Sequence, residues 1–366
     1  MIFGKRKASG RMLLIHIGDH KTGSTTIQNA FAKSCIQIEG ETPCYPNRLN
    51  HNFLPSALYD RYKGKGLKTD ARSRAILTKL GQNLKAASTK YSLISGEMLE
   101  RTPPAQLKRF IDDYTGSAFD EVKVISYVRP HAERLLSGYA EVTKIGGNQK
   151  SLQAFCDNMA KGDRLLYAKR FQAWRDAFGD QFILRPMIPS ALTNESLLDD
   201  FIIHGFGTEN FEITPFDDDN KSLSLQDLML LKALQSRISD QPKTTRHTFG
   251  REVARHLGHQ PSTANDEKLR MHVELAQSIA EHYAEDAHTV DTAFFGGEPL
   301  LENALDVAIK KASPSVTSTD PADHFPASEL RRIHALGDLF NMMISATDTD
   351  WSKIFRTARI DALHKN

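Results

Sequence analysis

Short apolar runs punctuate the first half of the chain. Residues 11–17 (RMLLIHI) read as a buried strand. The Gly-bearing segment GDHKTGSTT follows, and then IQNAFAKSC carries its apolar positions at helical spacing. That is strand, loop, helix, the opening of a βα unit. Residues 91–95 (YSLIS) form a second strand ending at Gly96 and Glu97. Residues 122–128 (VKVISYV) form a third, stopped by Arg129 and Pro130, and 182–186 (FILRP) a fourth. Helical spacing marks 74–87, 105–115, 131–143 and 164–178. Strands alternating with helices predict an α/β fold with a parallel sheet flanked by helices.

The texture changes after about residue 220. Segments 223–237, 265–289 and 328–346 are helical by pattern, and no strand pattern stands out. The Pro/Ser/Thr stretch 313–326 (SPSVTSTDPADHFP) reads as a linker or surface loop. There is no internal repeat. The expected organisation is an α/β core over 1–215 and a helical C-terminal region over 216–366 that packs on it.

Composition narrows the function more than the fold. Lys plus Arg is 47 against 45 for Asp plus Glu, a formal charge of +2. That balance argues against a nucleic-acid binder, which shows a clearly basic domain. Cys35, Cys44 and Cys156 cannot form a closed disulfide set, which fits a reducing compartment. No apolar run approaches the roughly 20 residues a bilayer needs. Lys5, Arg6 and Lys7 precede a short apolar stretch that runs straight into Gly18 and Asp19, too short for a signal peptide. The expected location is cytoplasmic, with no integral membrane segment.

Gly18, Gly23, Ser24 and Thr25 have the outline of a Walker A loop, with Ser24 where its lysine should be and Lys21 inside the loop instead. A Gly-bearing turn between strand and helix points successive backbone N–H groups at one spot, and the helix N-terminus adds partial positive charge. The hydroxyls of Ser24, Thr25 and Thr26 and the Lys21 ammonium suit the same phosphate or sulfate. An ordinary strand–helix turn with a Ser/Thr N-cap is the bland alternative.

The stretch LLIHIGDHKTGSTTIQ resembles the phosphosulfate-binding loop of sulfotransferases that use 3′-phosphoadenosine 5′-phosphosulfate (PAPS), most like bacterial members acting on glycans or small acceptors. The lysine lies inside the loop in that family, followed by Ser or Thr, Gly and a Ser/Thr pair. Lys21, Thr22, Gly23, Ser24 and Thr25 match residue by residue. VRPHAERLLSGY is similar to the family's second motif, in which a strand-end Arg and a Ser eight residues later bind the donor's 3′-phosphate; here these are Arg129 and Ser137. Guanidinium suits phosphate because its planar fork gives two parallel charge-assisted bonds. By itself this pair reads as a surface Arg and a helix Ser. Weaker echoes are Tyr167 with FQAWRDAFGDQFILRP, Asn220 with Ser222 to Ser224, and Tyr45 and Pro46 with Asn50 and His51.

The resemblance implies a P-loop-type parallel sheet flanked by helices, PAPS as donor, no metal, and a hydroxyl or amine acceptor on a carbohydrate-type or small molecule. The loop residues Lys21, Thr22, Gly23, Ser24, Thr25 and Thr26 would hold the phosphosulfate, and Lys21 would stabilise charge on the leaving oxygen. The strand 122–128 ends in Arg where a nucleotide-hydrolysing enzyme needs a carboxylate for Mg²⁺, so a P-loop kinase or hydrolase is the second reading. Transfer to a hydroxyl needs a base. Glu97 is the leading candidate, His20 the second and His51 the third, with His51 and Tyr167 expected to touch the acceptor. The family's small-molecule members have a Trp after the Ser/Thr pair to stack on adenine; here Thr26 stands there, so adenine must be held elsewhere. The C-terminal Arg-Lys-Gly cofactor segment of the family's cytosolic members has no clear match, and Arg251 and Arg255 are the candidate substitutes. His256 with His259, and His282 with Glu285 and His288, read as solvated helix faces in preference to metal ligands.

Overall fold

The structure, a computed structural model, describes residues 10–63, 67–147, 150–216, 222–261, 267–346 and 349–363. Asn220 and the basic Lys5, Arg6 and Lys7 lie outside the described residues. The chain divides into two compact units, Met1–Arg129 with Tyr167–Asp217 and Pro130–Leu166 with Asp218–Asn366.

Among its described residues the first unit holds six strands: β1 Met12–His16, β2 Ile36–Ile38, β3 Tyr91–Ser95, β4 Glu121–Val128, β5 Phe182–Pro186 and β6 Phe211–Ile213. Four of them form a parallel sheet in the order β3-β1-β4-β5. All five residues of β1 and of β3 are buried, as expected of strands covered on both faces. One face packs Leu14, Leu93, Ile125 and Tyr127 against Ile27 and Phe31 of helix Ser24–Ala32 and against Phe201 and Phe206 of helix Leu197–Phe206. That second helix is tied down by Asp200, whose carboxylate accepts from Tyr127 Oη at 2.7 Å, Arg185 Nη2 at 2.5 Å and the Thr193 amide at 3.0 Å.

All four expected strands are present, within a residue or two at their ends. The antiparallel pair β2–β6 was not expected. Each strand has three residues, one of them exposed, which is too short to show a period against the helix preceding β2.

From β1 the chain crosses to β3 on one side, whereas β4, on the other side, continues to β5. The crevice above β1 and β4 is therefore the switch point where open α/β sheets take their ligands. His16 pairs in register with Ser95 and with Ile125, so the segments that follow β1 and β3 leave the sheet at one level.

The second unit is helical among its described residues. Helix His131–Lys144 lies against helices Leu225–Arg237, Lys243–Gly258, Val273–Phe294 and Leu300–Lys310 of the same unit. Its buried positions, among them Leu135 and Tyr139, recur at helical spacing. Residues 130–166, read from sequence as part of the α/β core, are thus contiguous with the C-terminal helices. The helix expected over 265–289 begins at Val273 and runs to Phe294. Its late start follows from His272, which is extended and forms a bridge with Ser313. Stretch 313–326 is irregular apart from one 3₁₀ turn, Pro321–Asp323.

Candidate active site

The loop between β1 and helix Ser24–Ala32 sets the geometry. Gly23 is the helix N-cap at φ 76°, a left-handed conformation natural to glycine, and a Cβ there would collide with the Leu197 side chain. A Cβ on Gly18 would sit 2.6 Å from Ser24 Oγ and 3.2 Å from the Glu97 backbone. Both glycines therefore let the loop close tightly. No side chain caps the helix, and Ser24 Oγ is buried without a hydrogen-bond partner. The N–H groups of a helix's first turn have no partner within the helix, so they and the Ser24 hydroxyl form a cradle that fits an anion.

Lys21 stands out in this loop. Its φ of 67° is left-handed, uncommon for a residue with a Cβ. Its backbone is held on both sides. Glu97 Oε1, just past β3, accepts the Lys21 N–H at 3.3 Å. Arg129 Nη1, just past β4, donates to the Lys21 carbonyl at 2.7 Å. Groups from three neighbouring strand ends thus meet at one lysine, and the strained conformation is over-determined by its surroundings.

A charged cluster supports this arrangement. His20 Nδ1 lies 3.2 Å from Glu97 Oε1, and its Nε2 lies 3.3 Å from Glu100 Oε1. Arg170, on helix Tyr167–Phe178, donates to Asp19 Oδ2 at 2.6 Å and to Glu100 Oε2 at 3.4 Å. Burial opposes the Arg170 charge, but the Asp19 carboxylate outweighs it and holds the guanidinium above its ordinary range. Asp19 in turn accepts the His20 amide at 2.8 Å and, through its carbonyl, the Thr22 hydroxyl at 2.7 Å. Sequence reasoning missed Asp19, Glu100 and Arg170. The only available signal was the proximity of Asp19 and Glu100 to residues already singled out, and Arg170 gave none.

His51 and Tyr167, expected to touch the acceptor, lie in the interior of the first unit. Both are fully buried. Tyr167 Oη donates to the Arg129 carbonyl at 3.1 Å, so it steadies the end of β4. His51 Nδ1 accepts the Ser95 N–H at 3.2 Å, and the His51 amide donates to the Ser95 carbonyl at 2.8 Å. On the other side, His16 Nδ1 is 2.8 Å from Ser95 Oγ. Two histidines therefore grip the residue two positions before Glu97. Ser137 is half-buried on helix His131–Lys144 of the second unit.

Burial lowers the pKa of His16 to about 3, with the Glu97 charge acting against it, and that of His51 to about 4, against the approach of its Nδ1 to the Ser95 carbonyl at 3.3 Å. Both stay neutral in the folded chain, while in the unfolded chain they protonate near 6.5. Their contribution to stability is complete above pH 6.5 and is lost as pH falls toward 4. The slope approaches about 1.4 kcal/mol per pH unit for each. Urea unfolding at pH 7, 6 and 5 is expected to show stability falling by on the order of 3 kcal/mol between pH 6.5 and 5. The His16→Asn variant should flatten the profile. A level profile in the parent chain would contradict the buried neutral pair.

Among the described residues, no group of three or more His, Cys, Asp or Glu could hold a metal ion, and His288 faces Glu302 at 3.2 Å. No helix among them is long and apolar enough to cross a membrane.

No family model and no curated protein matches the chain. A solved structure described as a sulfotransferase from Alicyclobacillus acidocaldarius aligns with 79% of this chain and 96% of its own, at 12% identity and a TM-score of 0.40.

Proposed function

We propose that the chain is a sulfotransferase that moves a sulfuryl group from PAPS to a hydroxyl or amine of a carbohydrate-type or small acceptor. The observation that carries this reading is the grip on Lys21: a loop lysine in a left-handed conformation, its N–H held by Glu97 and its carbonyl by Arg129, beside an uncapped helix N-terminus. The sequence resemblance supplies the donor's identity.

The loop amides at 22–26, with the hydroxyls of Ser24, Thr25 and Thr26, hold the phosphosulfate. Bound there, the donor supplies an activated sulfuryl group. Lys21 stabilises the negative charge that grows on the leaving oxygen, and needs no metal for it. Glu97 takes the proton from the acceptor oxygen as the new S–O bond forms and the old one breaks. His20 serves it as a positioning residue: both of its ring nitrogens face carboxylate oxygens, so neither is directed at an acceptor. Arg129 binds the 3′-phosphate while bracing the loop, and sequence spacing adds Ser137 to that role. The compartment is taken to be the cytoplasm.

The donor's 3′-phosphate separates this reading from a kinase or hydrolase, because ATP and ADP lack it. Adenosine 3′,5′-bisphosphate is expected to raise the melting temperature well above the effect of equimolar ADP, without Mg²⁺. Arg129→Ala should remove most of that difference, since a hydrogen bond to a charged group contributes roughly 1.5–3 kcal/mol. Equal stabilisation by the two nucleotides, or a requirement for Mg²⁺, would favour a P-loop kinase or hydrolase.

A further inference from the structure

The helical second unit contains a cavity of about 670 Å³ that takes no part in the chemistry above. Its size is within the range of small-molecule sites. One wall is the Pro/Ser/Thr stretch that sequence alone reads as a linker. That stretch is pinned at two points. At one end the Ser313 N–H donates to the Met271 carbonyl at 2.8 Å, and the Ser313 carbonyl accepts from the Val273 N–H at 3.1 Å. Further on, Thr319 is held by Lys232, whose ammonium donates to the Thr319 carbonyl at 2.6 Å and to the Lys150 carbonyl at 3.2 Å. Lys232 is 5% exposed, so a buried cation spends its hydrogens on keeping two backbone segments around this space. Between the pins the strap arches outward, leaving Val316 71% exposed.

The lining is one-sided in charge. Lys232, Arg270, His272 and His334 contribute nitrogen, and Asp320 is the one carboxylate among the lining residues. Asp320 Oδ1 accepts the Ala322 N–H at 3.0 Å, so part of its charge is spent on the turn that follows. His272 comes no nearer than 4.0 Å to the Glu274 carboxylate. The rest of the wall alternates Ser, Thr and Gln side chains with an apolar part from Leu152, Ala233, Val316, Pro321, Ala322 and Leu330. Basic groups beside an apolar part of the wall select a ligand with an oxyanion head and an apolar body. The flat fork of an arginine recognises such a head through paired charge-assisted bonds.

We propose that this cavity binds a small organic oxyanion, a sulfate or carboxylate carried on an apolar body, with Arg270 and His334 as the head-group contacts. The site is separate from the Lys21 loop and stands whether or not the chain transfers sulfuryl groups.

The probe is 2-naphthyl sulfate, titrated calorimetrically into the full chain with no donor present; its uncharged parent 2-naphthol is the control. One saturable site is expected for the sulfate and at least tenfold weaker binding for 2-naphthol. Arg270→Ala combined with His334→Ala should weaken the sulfate at least tenfold. Both side chains lie at the surface or half-buried, so folding should be kept, and an unchanged melting temperature checks it. Leu330→Trp should block the site by filling it. Lys21→Ala should leave the affinity unchanged. Absence of saturable binding overturns the proposal, as does equal affinity for 2-naphthol. Binding that is lost in Lys21→Ala but kept in the Arg270/His334 double variant overturns it too, by placing the probe in the loop.

Discussion

Lys21→Ala is expected to lower kcat about 10²–10³-fold while the chain stays folded. The loss is the size found for removing one electrostatic contact to a transition state. The fold should survive because Lys21 lies in a loop outside the apolar core, and its backbone tethers to Glu97 and Arg129 do not involve its side chain. Alanine tolerates a left-handed φ no better than lysine does, so any change in stability should be small. The same assay on Glu97→Gln separates two roles. Loss of the carboxylate should depress kcat, and binding of the 3′,5′-bisphosphate should change far less. Turnover near that of the parent in a folded Lys21→Ala chain would remove the lysine from the chemistry.

Arg170→Met is expected to lower stability by several kcal/mol, about 3–5. The guanidinium bridges Asp19, which is 2% exposed, and Glu100, which is 5% exposed. Methionine keeps much of the side chain's bulk and its contacts with Phe171, but takes the Arg170 charge away from Asp19 and from Glu100, which keeps Arg101 at 3.4 Å. Breaking a buried pair from one side typically costs about 3–5 kcal/mol. Denaturant unfolding measures it directly. The loop should suffer as well, because Asp19 orders His20 and Thr22. Bisphosphate affinity should therefore drop even in buffer conditions where the variant remains folded. A change under 1 kcal/mol would mean that Asp19 and Glu100 find other partners, and that the cluster contributes little.

The local elements were legible because each rests on a short-range pattern. Apolar runs of five to eight residues bounded by Gly or Pro mark β1, β3, β4 and β5 wherever they stand in the chain. Gly18 and Gly23 mark a tight strand–helix turn, Gly18 because a Cβ would crowd Ser24 and Glu97, Gly23 because its φ is left-handed and a Cβ would meet Leu197. The chemistry of Lys21, Glu97 and Arg129 could be suspected from their places at strand ends. The grip on the Lys21 backbone could not be read this way, since Lys21 and Arg129 lie 108 residues apart in sequence and meet only through the strand order β3-β1-β4. Arg170 was invisible for the same reason: on its own helix it is one charged residue among several, and its role depends on Asp19, 151 residues away. Burial was equally hidden. A histidine near a loop looks available for chemistry, yet His51 is sealed against Ser95 and works on the backbone. The segment 130–166 is a comparable case, because an amphipathic helix declares that it has a buried face but not which neighbours cover it. Sequence by itself determined which residues could form strands, turns and charged groups, because those properties are set within a few neighbours. Which of them meet, which are neutral and which are exposed was decided by the tertiary structure, since contact, desolvation and charge pairing depend on groups that the chain brings together from far apart.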